Sequence, residues 1–415
     1  MKILSIDEWQ SLALENPVEW SRLVRLNLDK CIEKTDTSVV SSDLSSGLMP
    51  LDGPLGGVPF GLKDLFKIHG VPTHSSSVLP FLKSELAECD SELVQRLDQL
   101  GASCAAKAQM NEFAYGLSGE NPHYGNCPHP YLENCLSGGS SSGSAHLVAA
   151  GYLPLAFGTD TGGSIRLPAA WCGVYGIRWA PNYFMEGGFP LAPSFDTMGW
   201  FTRTAEEMAQ VILSWFDGES FDQPSGVHGT FFLPEDMVAA DTYAALKNAA
   251  KRWGIPESEL AAELKSILPA CQKAFNILQS REAYIIHQDW LDAHGSLYDP
   301  VVKDRIERAK IWKEEEVERA LATWDTVRVW FNRYFESYDF LAMPVSPGPS
   351  IPLSEATPEL RENTLRLTTP ASIAQKPALT IPVWLDGHRS VGMQFIFKDT
   401  SPEVPLALLE QCKSF

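Results

Sequence analysis

The sequence predicts an α/β fold, a single large domain whose sheet is covered by helices on both faces. Three observations carry this. Short apolar runs alternate with helix-patterned segments through the first two hundred residues, the pattern of a sheet with helices on each side. The apolar runs near the C-terminus have too few helices around them to form a layer of their own, so they should join the first sheet. With 415 residues, 44% hydrophobic and including 12 Trp and 20 Phe, the chain can bury one large core.

Taken in order, Ile6–Leu14 and Pro17–Glu33 place Leu, Trp and Ile at helical spacing, and Ser41–Gly57 breaks into a Ser/Gly/Pro loop. Val58–Leu62 is a short apolar run ending at Lys63-Asp64. Ser91–Leu100 reads as an amphipathic helix, Ala102–Ala106 as a buried strand, and Leu153–Phe157 and Val174–Trp179 as further strands. Pro234–Tyr338 is largely helical, punctuated by Pro256 and Pro300, with the charged run Lys310–Arg319 on a solvated face. Phe340–Pro344 reads as a strand, Ser346–Pro370 as a Pro-rich loop, and Ala378–Pro382 with Val391–Phe397 as a closing pair. No internal repeat is visible. The chain thus divides into N-terminal helices (1–40), a core carrying the Gly/Ser motifs (51–215), a mostly helical substrate-side region (234–338) and C-terminal strands that complete the sheet (339–415).

The 52 acidic against 33 basic residues give a net charge of −19, which repels nucleic-acid phosphates and anionic membrane surfaces. Neither is an expected partner. Eight cysteines lie scattered without a CxxC pair, and MKILSIDEWQ lacks the basic start and apolar run of a signal peptide, so a reducing cytoplasm is the expected compartment. No apolar run approaches the ~20 residues of a membrane helix.

Two Gly/Ser clusters stand out between Gly138 and Ala170: GGSSSGS, and GTDTGGSIRLPAA. An apolar helix-like run (Ala145–Ala150) and a short strand separate them. A helix followed by a returning strand can bring both clusters to one edge of a sheet. Gly162-Gly163-Ser164 lets the backbone curl around a ligand and aim successive N–H groups at one spot, as an oxyanion requires. A serine hydroxyl needs a base, and none of the nine histidines is tied locally to these serines. Lys63 closes the apolar run VPFGL, and burial there would lower its pKa and leave part of it as a neutral amine. Ser–Lys pairs are an established variant of triad chemistry.

These motifs, VPFGLKD, then GGSSSGS, then GTDTGGSIRLPA, resemble the amidase signature family. NEFAYGLSGENPHYG, PLAPSFDTMGWFTRT, REAYIIHQDWL and YDFLAMP extend the resemblance from about Leu51 to Phe397. The combination of GENPHYG, GGSSSGS and SFDTMGWF is most similar to the branch of plant indole-acetamide hydrolases and their bacterial relatives. The resemblance implies a central mixed, twisted sheet and a Ser–cis-Ser–Lys triad: Ser164 as nucleophile, Ser140 as bridging serine after a cis Gly139–Ser140 bond, and Lys63 as base. It implies an oxyanion hole from the N–H groups of Thr161, Gly162, Gly163 and Ser164, and an acyl-enzyme mechanism with no metal or organic cofactor. The implied activity is hydrolysis of a small apolar or aryl-acyl primary amide to carboxylate and ammonia. The implied partner is that small-molecule amide, and the assembly is left open between a monomer and a homodimer.

Met110, Phe113, Tyr115 and Gly139 are candidates for the acyl pocket, because loops carried on a rigid sheet usually set specificity; the aromatic residues could equally pack beneath the loop. Arg166 could clamp a substrate carboxylate or anchor its loop to Asp160 or Asp196. Two other site readings exist. Gly139–Gly143 fits GxSxG, with Ser141 as nucleophile and His287, His294 or His388 as base, although HPYLENCL is a poor preceding strand. His123, Cys127, His129 and Cys135 offer zinc-ligand atoms without the spacing of a zinc site. Two other function classes also remain: the catalytic component of an amidotransferase, releasing ammonia to a partner, and a non-catalytic binding protein.

Overall fold

The computed structural model describes residues 3–35, 37–41, 44, 52–216 and 226–412. Its centre is a ten-stranded mixed sheet. The strands are β1 (Val39–Ser41), β2 (Pro59–Lys63), β3 (Ser103–Ala108), β4 (Leu155–Thr159), β5 (Tyr175–Arg178), β6 (Met198–Thr202), β7 (Gly229–Phe231), β8 (Phe340–Pro344), β9 (Ala378–Trp384) and β10 (Ser390–Phe397). They lie in the order β1-β3-β2-β4-β6-β5-β9-β10-β8-β7. The β2–β3, β2–β4 and β7–β8 pairs are parallel and the other six antiparallel.

The late strands do join the first sheet: β9 pairs with β5, aligning Ile177 with Leu379. The chain is therefore one domain. Strands β2, β4, β6 and β10 are buried along their whole length, as expected of strands covered on both faces. A core that draws residues from Ile6 to Leu409 packs against the sheet, and a smaller cluster joins Trp9 and Trp20 of the N-terminal helices to Ala105 and Leu147.

The N-terminal helices span Ile6–Glu15 and Pro17–Thr35, and the predicted helix over Ser91–Leu100 spans Glu92–Gln99. The region 234–338 is helical as expected, its longest element running Leu264–His294 with Pro269 inside it. One reading is corrected. The Pro-rich stretch Ser346–Pro370 is a loop only in its first part, and Pro358–Ile373 is a helix. Pro358 occupies the first helical turn, where its missing N–H costs nothing, and Thr357 caps the end by accepting from the Leu360 N–H at 3.2 Å. Strand β6 has no counterpart among the predicted elements. Of the loop predicted at Ser41–Gly57, residues 42–43 and 45–51 lie outside the described residues.

Candidate active site

Strands β2 and β4 are parallel neighbours, so their C-terminal residues, Lys63 and Thr159, reach the same edge of the sheet. There the Lys63 side chain is fully buried, its Nζ 2.8 Å from Ser140 Oγ and 2.8 Å from Thr159 Oγ1. Burial lowers its pKa to about 7, against the opposing pull of the Asp196 and Asp160 carboxylates. A neutral amine is therefore well populated at this position near neutral pH.

Ser140 follows a cis peptide bond from Gly139. A Cβ on Gly139 would lie 2.1 Å from Asn111 Oδ1, so only glycine fits, and the residue is enclosed by Asn111. The next residue pins the loops together. Ser141 Oγ donates to Thr159 O at 3.0 Å, and the Ser141 N–H donates to Ser164 O at 3.2 Å. The helix Ser142–Ala149 then returns the chain to β4, with Ser144 Oγ donating to Phe157 O at 2.9 Å. The two Gly/Ser clusters thus meet at one edge. Ser164 itself is 3% exposed.

The second cluster is organised around Asp160. Its carboxylate accepts from the N–H groups of Gly163, Ile165 and Arg166 at 2.8, 3.1 and 3.2 Å, and from the guanidinium groups of Arg166 and Arg178. Burial works against ionisation, but Arg166 and Arg178 hold this carboxyl well below the usual carboxylate range. The consequence for the amides is specific. Gly163, whose φ of +130° favours glycine, has its N–H directed to Asp160 and withdrawn from any oxyanion. Among the described residues, no hydrogen bond engages the N–H of Thr161, Gly162 or Ser164. Thr161 is steadied by its hydroxyl, which donates to Asp196 Oδ1 at 2.6 Å.

Arg166 is withdrawn from the substrate contacts for a similar reason. Its five guanidinium hydrogens go to Asp160 Oδ2 and Oδ1, Thr368 O, Gln394 Oε1 and Ser372 Oγ, all within 3.0 Å. None is left for a ligand, and the side chain anchors the loop.

Met110, Phe113 and Tyr115 sit one layer back. Met110 is buried with its N–H on Ser76 Oγ at 3.1 Å. Phe113 packs among His287, Phe189, Trp290 and Tyr298, with its ring centroid 4.6 Å from that of His287. Tyr115 lies against Arg305, whose Nη1 donates to Tyr115 O at 2.5 Å. None of the three lines the cavity of about 310 Å³ whose wall includes residues flanking the two Gly/Ser clusters, although Lys63, Ser140 and Ser164 do not line it either. Its wall includes Leu136, four residues before Ser140, and Leu167, three after Ser164, together with Leu117, Trp171, Arg305 and Leu360.

Three residues of this region lie inside the motifs quoted above but carry no expected role there: Thr159 in GTDTGGSIRLPA, and Asn111 and Glu112 in NEFAYGLSGENPHYG. Thr159 is a hydroxyl at the C-terminal end of a strand, a position that sheet geometry alone marks. Asn111 and Glu112 form a polar pair in a buried stretch. Glu112 accepts from Ser77 Oγ at 2.6 Å and the Asp299 N–H at 2.7 Å, and burial pushes its pKa up to about 7.

The two other site readings dissolve on geometry. Ser141 is held by both backbone groups of Thr159. Of the histidines considered with it, His287 is buried with Nδ1 3.0 Å from Tyr298 OH, His294 packs on Phe81 and His388 is exposed in a turn. His129 has Nε2 2.9 Å from Trp171 O, while its Nδ1 accepts from the Tyr131 and Leu132 N–H groups. His123 lies 3.1 Å from Glu112. Among the described residues, no three His, Cys, Asp or Glu side chains form a metal-holding group.

Comparison with known proteins shows what the chain as a whole is similar to. The family model described as Amidase matches residues 41–248 and 239–402. The chain is 26% identical to Amidase 1 of Arabidopsis thaliana over 400 residues, covering 87% of this chain and 93% of that protein. It is 29% identical to a Glutamyl-tRNA(Gln) amidotransferase component of Staphylococcus aureus over 402 residues, covering 84% of this chain and 81% of that protein. Among solved structures, one described as a crystal structure of amidase superposes with a TM-score of 0.85 at 28% identity, covering 99% of each chain.

Proposed function

The chain belongs to the amidase family and is an amide-hydrolysing enzyme, and from that premise we propose that Ser164, Ser140 and Lys63 cleave a small primary amide through an acyl-enzyme. The observation that carries this reading is the fully buried Lys63 amine, 2.8 Å from the Ser140 hydroxyl and with its pKa lowered to about 7. A lysine so placed is a proton acceptor at neutral pH.

In this mechanism Lys63 takes the Ser140 proton while Ser140 takes the Ser164 proton. Ser164 Oγ forms a bond to the amide carbon, and the carbonyl electron pair moves onto oxygen. The N–H groups of Thr161, Gly162 and Ser164 hold that oxygen, in preference to the four-donor set that the resemblance implied. The tetrahedral species collapses, the C–N bond breaks and ammonia leaves with the relayed proton. Water then attacks the ester by the same relay and releases the carboxylate. No step requires a metal or organic cofactor, and EDTA should leave the rate unchanged. The cavity walls Leu117, Leu136, Leu167, Trp171 and Leu360 favour an acyl group with a small apolar or aryl body.

The test is ammonia release from aryl, indolyl and aliphatic amides by the purified protein, with Ser164→Ala as the control. Activity in that variant within tenfold of wild type would sink the assignment.

A second reading, the catalytic component of an amidotransferase, is favoured by the likeness to the Staphylococcus aureus protein of that name. The net charge of −19 disfavours a direct place beside tRNA. Glutaminase activity together with co-purifying partner chains would establish that reading. No helix among the described residues is long and apolar enough to cross a membrane, and we place the activity in the cytoplasm.

A further inference from the structure

We propose that Glu112 is a positioning residue for the proton relay: its carboxyl group joins the chain beside Lys63 to the chain beside Ser140 and keeps the two at transfer distance. The proposal rests on the hydrolase reading above and adds to it the group that sets the relay.

On one side of the relay, Asp64 follows Lys63 directly. Its main-chain oxygen accepts from the Ser75 N–H at 2.8 Å and its Oδ2 from the Ser76 N–H at 2.9 Å, so the turn 74–77 is fixed to the residue next to the lysine. On the other side, the Asn111 N–H donates to Ser140 O at 3.3 Å, and Asn111 Oδ1 takes up the space that a Gly139 Cβ would fill. Glu112 is the next residue in the chain.

Glu112 is fully buried, and its two oxygens face two different parts of the protein. Oε1 accepts from Ser77 Oγ at 2.6 Å, and Oε2 accepts from the Asp299 N–H at 2.7 Å, where the helix Pro300–Glu307 starts. The side chain thus crosses from the Ser140 side to the Lys63 side. His123 Nε2 lies 3.1 Å from Oε1 but makes no hydrogen bond, and burial lowers the His123 pKa. Hydrogen bonds rather than an ion pair therefore carry the tie at neutral pH.

The backbone at this junction needs holding. Ser75 and Ser76 have φ of +51° and +47°, and Phe113 and Ala114 have φ of +50° and +59°. Non-glycine residues pay free energy in this left-handed region and stay there only where their surroundings over-determine them. The Phe113 N–H on Ser75 O at 3.0 Å and the Met110 N–H on Ser76 Oγ at 3.1 Å link the two strained stretches through the main chain, and Glu112 links them through a side chain.

The chemistry of the two arms separates the possible replacements. The Asp299 N–H can only donate, whereas the Ser77 hydroxyl can turn and accept. Glutamine therefore serves both, with its oxygen on Asp299 and its amide N–H on Ser77. Alanine serves neither and leaves a buried donor unpaired. Loss of the tie lets Lys63 and Ser140 drift apart, which slows proton transfer and leaves substrate binding nearly untouched.

The test measures kcat and KM for benzamide and indole-3-acetamide on the purified protein. Glu112→Ala should lower kcat by at least about tenfold with KM held within about threefold, and Glu112→Gln should recover most of the loss. Ser77→Ala removes one arm, so it should cost less and add little on top of Glu112→Ala. An unchanged kcat in folded Glu112→Ala, a loss confined to KM, or a glutamine variant no better than alanine overturns the proposal. Should Glu112→Ala not fold, Ser77→Ala decides: a fall in kcat of at least about threefold at constant KM supports the tie, and a wild-type kcat overturns it. Should the wild type cleave neither amide, the hydrolase reading is what fails for these substrates. The relay is then read from phenylmethanesulfonyl fluoride, which bonds Ser164 Oγ to sulfur, expels fluoride and sends the serine proton through Ser140 to Lys63. Modification of Ser164 slowed at least about tenfold in Glu112→Ala and restored in Glu112→Gln supports the proposal, and equal rates or an unmodified wild type overturn it.

Discussion

Beneath the loop carrying Ser164, Asp160, Arg166 and Arg178 are entirely buried, and every Arg166 guanidinium hydrogen has a protein acceptor. On the cavity wall, Arg308 and Arg361 remain 44% and 14% exposed, and each has one carboxylate partner. The two clusters contain the same residue types, yet the first is sealed from solvent with Arg166 fully satisfied, and the second is partly exposed. Groups that fix reacting atoms must be over-determined, because small misplacements of a reacting group are expensive. Groups that choose a substrate must keep unsatisfied capacity, because selectivity comes from interactions completed only when the substrate arrives.

This contrast can be broken experimentally, and the largest effect is expected at the reacting atoms. Ser164→Ala should lower kcat/KM by at least ~10³-fold with an unchanged melting curve, since the hydroxyl contributes little to the fold. Lys63→Arg should be nearly as damaging, because a guanidinium keeps the charge but does not deprotonate. Combined with Ser164→Ala it should add little, since the residues act as one unit. The wild-type pH profile follows from the sign of the Lys63 shift. In the proposed mechanism the neutral amine is the active form, so kcat/KM should climb as pH rises through about 7 and then level off. A profile flat from about pH 5.5 to about 8.5 would remove Lys63 as the base.

The closed cluster should show its importance in stability. Asp160→Asn leaves two buried guanidinium groups without their counter-charge and should destabilise the fold by about 3–5 kcal/mol, read from urea unfolding. A loss below about 1 kcal/mol would mean that the cluster is not closed in solution. The smallest effect is expected on the open wall. Leu136→Ala enlarges the cavity and should shift preference toward bulkier amides by about tenfold. Equal kcat/KM ratios across a panel of acyl sizes would show that Leu136 does not bound the substrate.

The closed region is also the legible one. Lys63, Ser140 and Ser164 each sit in a short local motif, and the strand–loop–helix–strand spacing predicts that the two Gly/Ser clusters meet, as they do at the Ser141–Ser164 contact. The open wall is not legible. Arg305 and Arg361 come from helices far apart in the chain, and their meeting on one cavity wall is tertiary. The helix carrying Arg361 reads as loop because its prolines resemble breakers, although Pro358 stands at a helix start and Pro370 in the last turn. Arg166 illustrates the limit from the other side. Its sequence context allows a ligand contact or an anchor, and only the positions of Thr368, Ser372 and Gln394, some two hundred residues later, decide between them.

That last connection bears on biosynthesis. The loop carrying Ser164 is locked through Arg166 to Gln394 in the final strand of the sheet, so a chain emerging from the ribosome has Ser164 long before it has the part that sets it. Contacts of such sequence separation form late in folding. A nascent or prematurely terminated polypeptide is therefore expected to be hydrolytically silent. Truncation after Lys376, which removes β9 and β10, should abolish ammonia release even where the product remains soluble, and co-expression of the missing 377–415 segment is the complementation that would restore it.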